Sequence, residues 1–221
     1  MSRPPAGPRG IGRRAWLSSA VVGAPEITVA VPGDRGRVIE SLVAAFVTDP
    51  VLRHLFPDDA TYPRHAAAFF GRLFDRRVGR GTIWTIERGA SVAMWDAPGA
   101  DGGPPVDDDL ADQLPADALA RVAAYDAAVH AALPGGPFWY LGVLGTHPDR
   151  AGRRWGHALM ATGLRRAAAD GLPAVLETSN PGNVEVYRRA GWAVAATVPA
   201  GPLTVWIMRQ EQPHPGAVHR S

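Results

Sequence analysis

The segment from Phe138 to Met160, FWYLGVLGTHPDRAGRRWGHALM, limits what this chain can fold into more than any other. It opens with an apolar run, Trp139 to Gly145, short enough for a strand and too short to cross a membrane. His147-Pro148-Asp149 stops that run, because Pro148 has no N–H to give a ladder and biases His147 away from helix. Beyond Gly152 a helical pattern starts near Arg154 or Trp155 and runs to about Asp170. Strand, glycine-bearing turn and helix, in that order, set free backbone N–H groups and the positive end of a helix around an anion. Arg150, Arg153 and Arg154 lie in the turn, so the stretch reads as a phosphate site.

The 221 residues suffice for one sizeable core, and one domain spanning 26–209 is expected. A hydrophobic share of 46% and a charged share of 20% are ordinary for a globular protein in water. All 23 basic residues are arginine and the net charge is only +2, with no basic stripe outside the central turn, so nucleic acid is not an expected partner. No segment reads as a membrane span. The absence of cysteine excludes disulfides, thiolate metal sites and cysteine catalysis, and fits a reducing, cytoplasmic setting. Residues 1–25 are rich in Pro, Gly and Arg without amphipathic period and read as a disordered extension. Arg13-Arg14 before a short apolar stretch weakly resembles an export signal. Residues 210–221 read as a flexible tail.

Along the chain, Ile27–Val31 alternates as a strand, and Asp34 is placed to cap a helix carrying Val38, Ile39, Leu42, Val43 and Phe46, closed by Asp49-Pro50. A short turn at Val51–Phe56 and a stronger helix at Tyr62–Val78 follow. Thr82–Glu87 and Ser91–Trp95 read as a hairpin turning at Arg88-Gly89-Ala90. Residues 96–115 read as a solvated loop; its acidic run, Asp107 to Asp112, lacks the glycine and closing Glu of a calcium loop, and no metal site is expected. Ala116–Leu133 is helical, Ala174–Thr178 a strand, and Asn183–Ala190 a short helix stopped by Gly191. Trp192–Val198 and Leu203–Met208 form a closing hairpin. The order β-α-α-β-β-α-β-α-β-α-β-β implies an α/β (α+β) fold, a mixed central sheet of about six to seven strands flanked by helices.

Tyr140-Leu141 to Leu159, followed by LETSNPGNVEVYRRAGW from Leu176 to Trp192, resembles the GNAT family of N-acetyltransferases, in the manner of its puromycin N-acetyltransferase-like branch. The resemblance covers residues 138–208. The family's turn pattern is Gln/Arg-x-x-Gly-x-Gly/Ala. Counted from Pro148, its first position falls on Ala151, its first glycine on Arg154, and Gly156 matches. A shifted register, Arg153 with Gly156 and Ala158, fits the letters but moves the turn two residues from Pro148.

That resemblance implies acetyl-CoA as co-substrate and transfer of its acetyl group to a primary amine by direct attack in a ternary complex. It implies that the turn Ala151, Gly152, Arg153, Arg154, Trp155, Gly156 and His157 holds the pyrophosphate, chiefly through main-chain N–H groups. The edge of Leu144, Gly145 and Thr146 would bond the pantetheine arm, Asn183 would touch the cofactor, and the Tyr187 hydroxyl would lie near the thioester sulfur. A phenol there can protonate the leaving thiolate; the alternative for Tyr187 is a core tyrosine. A half-desolvated Glu177 is the leading candidate for the base that takes the amine's proton, with His147 behind it; otherwise Glu177 caps the Asn180–Asn183 turn. His130 reads as an exposed helix residue. Trp95, at a strand end, is a candidate liner of the acceptor pocket, and the acidic loop after it suits a small cationic amine. A monomer and a homodimer are both compatible with the chain. A CoA- or nucleotide-binding module without catalysis remains the alternative, because Ala151 and Arg154 depart from the family letters.

Overall fold

The computed structural model describes residues 24–100 and 107–211. The expectations for residues 1–23, 101–106 and 212–221 fall outside them. Seven strands form one sheet in the order β1-β2-β3-β4-β5-β7-β6: β1 (Ile27–Val29), β2 (Ile83–Ile86), β3 (Ser91–Asp96), β4 (Trp139–Thr146), β5 (Ala174–Thr178), β6 (Ala193–Ala200) and β7 (Leu203–Gln210). Every neighbouring pair is antiparallel except β4 and β5, which are joined through α6 (Trp155–Ala169) and run parallel, as a helical crossover requires.

Two faces are covered by different helices. On one, α1 (Arg35–Ala45) and α3 (Tyr62–Val78) bury Val38, Leu42, Phe70 and Phe74 against Val92, Met94 and Val143. On the other, α6 buries Leu159, Met160 and Ala167 against Trp95, Trp139 and Leu141, and α7 (Pro181–Arg189) adds Val184. The helix α5 (Ala116–His130) supplies Val129 to a third cluster with Val175, Val205 and Ile207. No helix among the described residues is long and apolar enough to cross a membrane.

Several ends differ from the sequence expectation, each for a local reason. Strand β1 stops at Val29, two residues early, and Val29 and Val31 face outward at this sheet edge. Asp34 does not cap α1. Its buried carboxylate accepts from Val31 N at 3.0 Å and from Arg88 Nε at 2.9 Å, tying the exit of β1 to the β2–β3 turn. Asp49, expected to close α1, instead caps α2 (Pro50–Leu55), its Oδ1 accepting from Val51 N and Leu52 N at 2.9 and 3.1 Å. The expected loop after β3 contains a short helix, α4 (Asp108–Ala111), which Asp107 caps while also accepting from Arg72 Nε at 2.7 Å. That carboxylate is an anchor between loop and α3, not a solvated charge.

Candidate active site

The site originates in one residue that the sheet does not pair. Strand β3 matches Met94 to Val143 and then Trp95 to Leu141, so Gly142 bulges out of β4. A bulge bends its strand and increases the local twist. On the other side β4 pairs with β5 at only three positions, Trp139 with Ala174, Tyr140 with Val175 and Leu141 with Leu176. Beyond Leu141 the two parallel strands diverge, and the β5-facing backbone of Gly142 to Thr146 is left unpaired. The bulge also slips the side-chain alternation. Leu141 lies in the α6-side core and Val143, two residues on, in the α1/α3-side core.

The divergence opens into a cleft of about 430 Å³. Leu144, Glu177, Asn183 and Tyr187 line it together, so four expected site residues from three separate elements meet here. Across from them stand Phe46, Phe69 and Phe70, with Phe46 and Phe70 in tilted contact at 5.3 Å between centroids. Tyr125, Asp126 and His130 enter from α5, and Asp49 from the start of α2. His130 is exposed and sits 3.5 Å from Asp126.

Glu177 is the most perturbed acid. Desolvation in the cleft pushes its carboxyl up to about 7, partly opposed by the hydrogen bond that the Tyr140 hydroxyl donates to it. That bond also excludes the alternative in which Glu177 caps the following turn. The cap is Asn180, whose Oδ1 accepts from Gly182 N at 2.9 Å, while Thr178 Oγ1 accepts from Asn180 N at 3.2 Å. Helix α7 accordingly starts at Pro181, two residues before the expected Asn183. Burial, then the charge of Glu177, raises the Tyr187 phenol to about 12, so it stays protonated at neutral pH. Burial raises Tyr125 and Tyr140 as well, and likewise the carboxyl of Asp49. Arg77 is bound to Asp96 at 2.6 Å and to the Leu73 carbonyl at 3.0 Å.

The turn that follows β4 lies outside this cleft's lining. His147 N donates to Ala90 O at 2.8 Å, pinning the turn to the β2–β3 hairpin, and the His147 ring accepts from Asp149 N. Arg150 pairs with Glu87 at 3.0 Å, and Arg153 lies over the Trp155 ring at 5.2 Å. Ala151 N already donates to Pro148 O at 3.0 Å, which removes it from the expected set of free donors. Gly152 and Arg154 both take positive φ, 78° and 60°, the Arg154 residue in the left-handed region immediately before α6. The first intrahelical bond runs from Ala158 N to Arg154 O, so the N–H groups of Trp155, Gly156 and His157 project from the helix end. The positive φ at Arg154 favours the register counted from Pro148, since the family glycine falls on the position whose backbone needs it. Trp155's side chain packs in the core, with the Arg153 guanidinium over its ring.

Two expected residues serve packing. A β-carbon on Gly145 would meet Leu42 at 2.6 Å and Phe46 at 2.9 Å, so the glycine lets α1 approach β4. Trp95 does not line the cleft. It is fully buried on the α6 side, because the alternation of β3 puts Trp95 on the same face as Ala93, opposite Val92 and Met94. Sequence reasoning missed Tyr140, Tyr125, Asp49 and Arg77. Only Tyr140 carried a signal, a hydroxyl inside an otherwise apolar central strand, where a buried phenol needs a partner.

Residues 109–192 match the family model of the Acetyltransferase (GNAT) family. The match is to the family as a whole, not to the puromycin N-acetyltransferase-like branch. Among solved structures, the chain resembles a histone acetyltransferase HPA2 and related acetyltransferase from Corynebacterium glutamicum ATCC 13032, with TM-score 0.64 and 20% identity over 87% of this chain and 98% of that one. It also resembles arylalkylamine N-acetyltransferase 2 from Aedes aegypti, with TM-score 0.61 and 10% identity over 84% and 98%. A polyamine N-acetyltransferase of Drosophila melanogaster, described as forming N-acetylagmatine, gives 0.57 and 16% over 84% and 100%. These likenesses establish the GNAT fold that the sequence led us to expect, seven mixed strands flanked by helices.

Proposed function

We propose that this protein transfers the acetyl group of acetyl-CoA to the primary amine of a small molecule, by direct attack in a ternary complex. The observation that carries the reading is the divergence of β4 from β5 after the Gly142 bulge, which opens onto both Glu177 and Tyr187. The residues fit the co-substrate. Backbone N–H groups at the start of α6, in a turn with positive φ, suit a pyrophosphate, and the unpaired edge of Leu144 to Thr146 suits the amides of the pantetheine arm. Asn183 and Tyr187, four apart on α7, put an amide and a phenol on one face of the cleft.

Acetyl-CoA supplies the activated thioester; the protein supplies proton movement and placement. Glu177 removes a proton from the acceptor ammonium, and its raised pKa of about 7 matches that task near neutral pH. The freed nitrogen attacks the thioester carbon and the carbon–sulfur bond breaks; Tyr187, still protonated, gives its proton to the departing thiolate, and the second proton shed by the nitrogen restores the phenol. A backbone N–H of β4 near the bulge meets the oxyanion. Aromatic walls at Phe46, Phe69 and Phe70 beside the carboxylates of Asp49 and Asp126 suit a small amine with an apolar body. Two of the structurally similar proteins are described as acting on arylalkylamines and polyamines, which points the same way.

The test is free-thiol release from acetyl-CoA across a panel of arylalkylamines, diamines, aminonucleosides and peptides, with thermal shift by acetyl-CoA in parallel. Turnover with one small-amine class is expected. Cofactor stabilisation without thiol release from any amine would instead support a non-catalytic CoA-binding module, and no stabilisation at millimolar cofactor would remove both readings.

A further inference from the structure

We propose that Tyr140 is a positioning residue for Glu177: its phenol donates the hydrogen bond that aims the carboxylate into the cleft and favours its ionised form. This rests on reading Glu177 as the base.

The geometry comes from strand register. Tyr140 pairs with Val175 on β5, and Glu177 lies two residues further along, on the same face of the sheet. Tyr140 occupies the second-last rung before β4 and β5 part, so its backbone is held on both sides, by Asp96 of β3 and Val175 of β5. Its ring is also boxed in. Phe138 meets it edge-on at 6.4 Å, and a β-carbon on Gly142 would stand 3.5 Å from its Cε1. From that fixed base the hydroxyl reaches Oε2 of Glu177.

Among the described residues, the groups facing Glu177 are few and none duplicates this contact. Tyr125 and Asp126 face it from α5, Tyr187 from α7 and Arg77 from α3, and β7 contributes apolar Ile207 alongside. Asp126 opposes ionisation of Glu177. Arg77 favours it, but its guanidinium is held by Asp96 and Leu73 O. Tyr125 and Tyr187 sense the carboxylate's charge without bonding to it. Tyr140 is thus the neutral donor that offsets desolvation of a carboxylate in this wall, and it remains a donor because its own proton is held far above neutrality.

The test compares wild type with Tyr140→Phe, which keeps the ring and removes only the hydroxyl. Two readouts are taken: the pH dependence of kcat/KM, and the titration of the Glu177 carboxyl by carbon-13 NMR in glutamate-labelled protein, assigned with Glu177→Gln. Loss of the bond is expected to move both the acid limb and the carboxyl titration upward by about one pH unit, with acetyl-CoA affinity unchanged. Replacing Tyr140 by a fluorinated tyrosine, a stronger donor of the same shape, is expected to move both downward. A Glu177 titration that stays where it is in both variants overturns the proposal. An acid limb that survives in Glu177→Gln would remove Glu177 as the base, while the carboxyl titration still decides separately whether Tyr140 sets its ionisation.

Discussion

The indole of Trp95 lies so close to the backbone of Gly163 that a β-carbon on residue 163 would come within 2.1 Å of its Cε2. Strand β3 and helix α6 are keyed together by this contact, at the level of the sheet where β4 bulges. Gly163→Ala is expected to cost about 2 to 3 kcal/mol through overpacking of a rigid indole, read by chemical denaturation. Trp95→Phe should lower stability while leaving the amine KM unchanged, since residue 95 does not reach the cleft. A selective rise in KM would return Trp95 to the acceptor pocket.

Arg154 holds a left-handed backbone, φ 60°, at the entrance to α6. Arg154→Gly is expected to be more stable than Arg154→Ala by about 1 kcal/mol, because only glycine adopts this conformation without steric penalty. The alanine variant separates the backbone effect from loss of the guanidinium. Calorimetric titration with CoA on the same pair then tells whether that charge contributes to pyrophosphate binding.

The ionisation of Glu177 links activity and stability with opposite signs. Its carboxyl rises from an ordinary 4.5 to about 7 on folding, so the folded state holds the proton more tightly. Stability from this group is present below pH 4.5 and is lost as pH climbs through about 7. Glu177→Gln should therefore raise the melting temperature at pH 8 by a few degrees, corresponding to about 1 to 2 kcal/mol after allowance for access of water to the cleft, and change little near pH 4. The same substitution should abolish the acid limb of kcat/KM near pH 7. Melting curves and rate profiles on one preparation check both.

Tyr187 is expected to act late in the reaction. Tyr187→Phe should lower kcat at least tenfold with little change in the dissociation constant for acetyl-CoA, as for a group used only when the thiolate leaves. Because its phenol is held near 12, no alkaline loss of rate below about pH 10 should trace to it. Equal turnover in the variant would falsify its role as the acid.

Much of the fold was legible before any tertiary contact was known. Pro148 and Gly152 mark the turn, the spacing of Leu159, Met160 and Ala167 marks the face of α6, and Gly191 marks the end of α7, each through local backbone preference or helical period. Of the proposed site, Asn183 and Tyr187 could be named because a known family's motif fell on them, and Glu177 because a carboxylate on the strand after the motif helix could serve as base. Their partners could not be named. Tyr140 and Glu177 are 37 positions apart, and only the parallel pairing of β4 with β5 brings them onto one face. Asp49 read as the end of one helix when it caps the next, a choice between two short-range options that the packing of α2 decides.

What the sequence alone determined is the main succession of strands and helices and the glycine-bearing turn between β4 and α6, since both depend on residues within a few positions of one another. What only the tertiary structure decided is the bulge at Gly142, with the parting of β4 from β5 beyond it, and the meeting of Tyr140, Glu177 and Tyr187 around one cleft. A bulge is a mismatch of register between two strands, and register is set where distant segments pack together, not by the propensity of either strand.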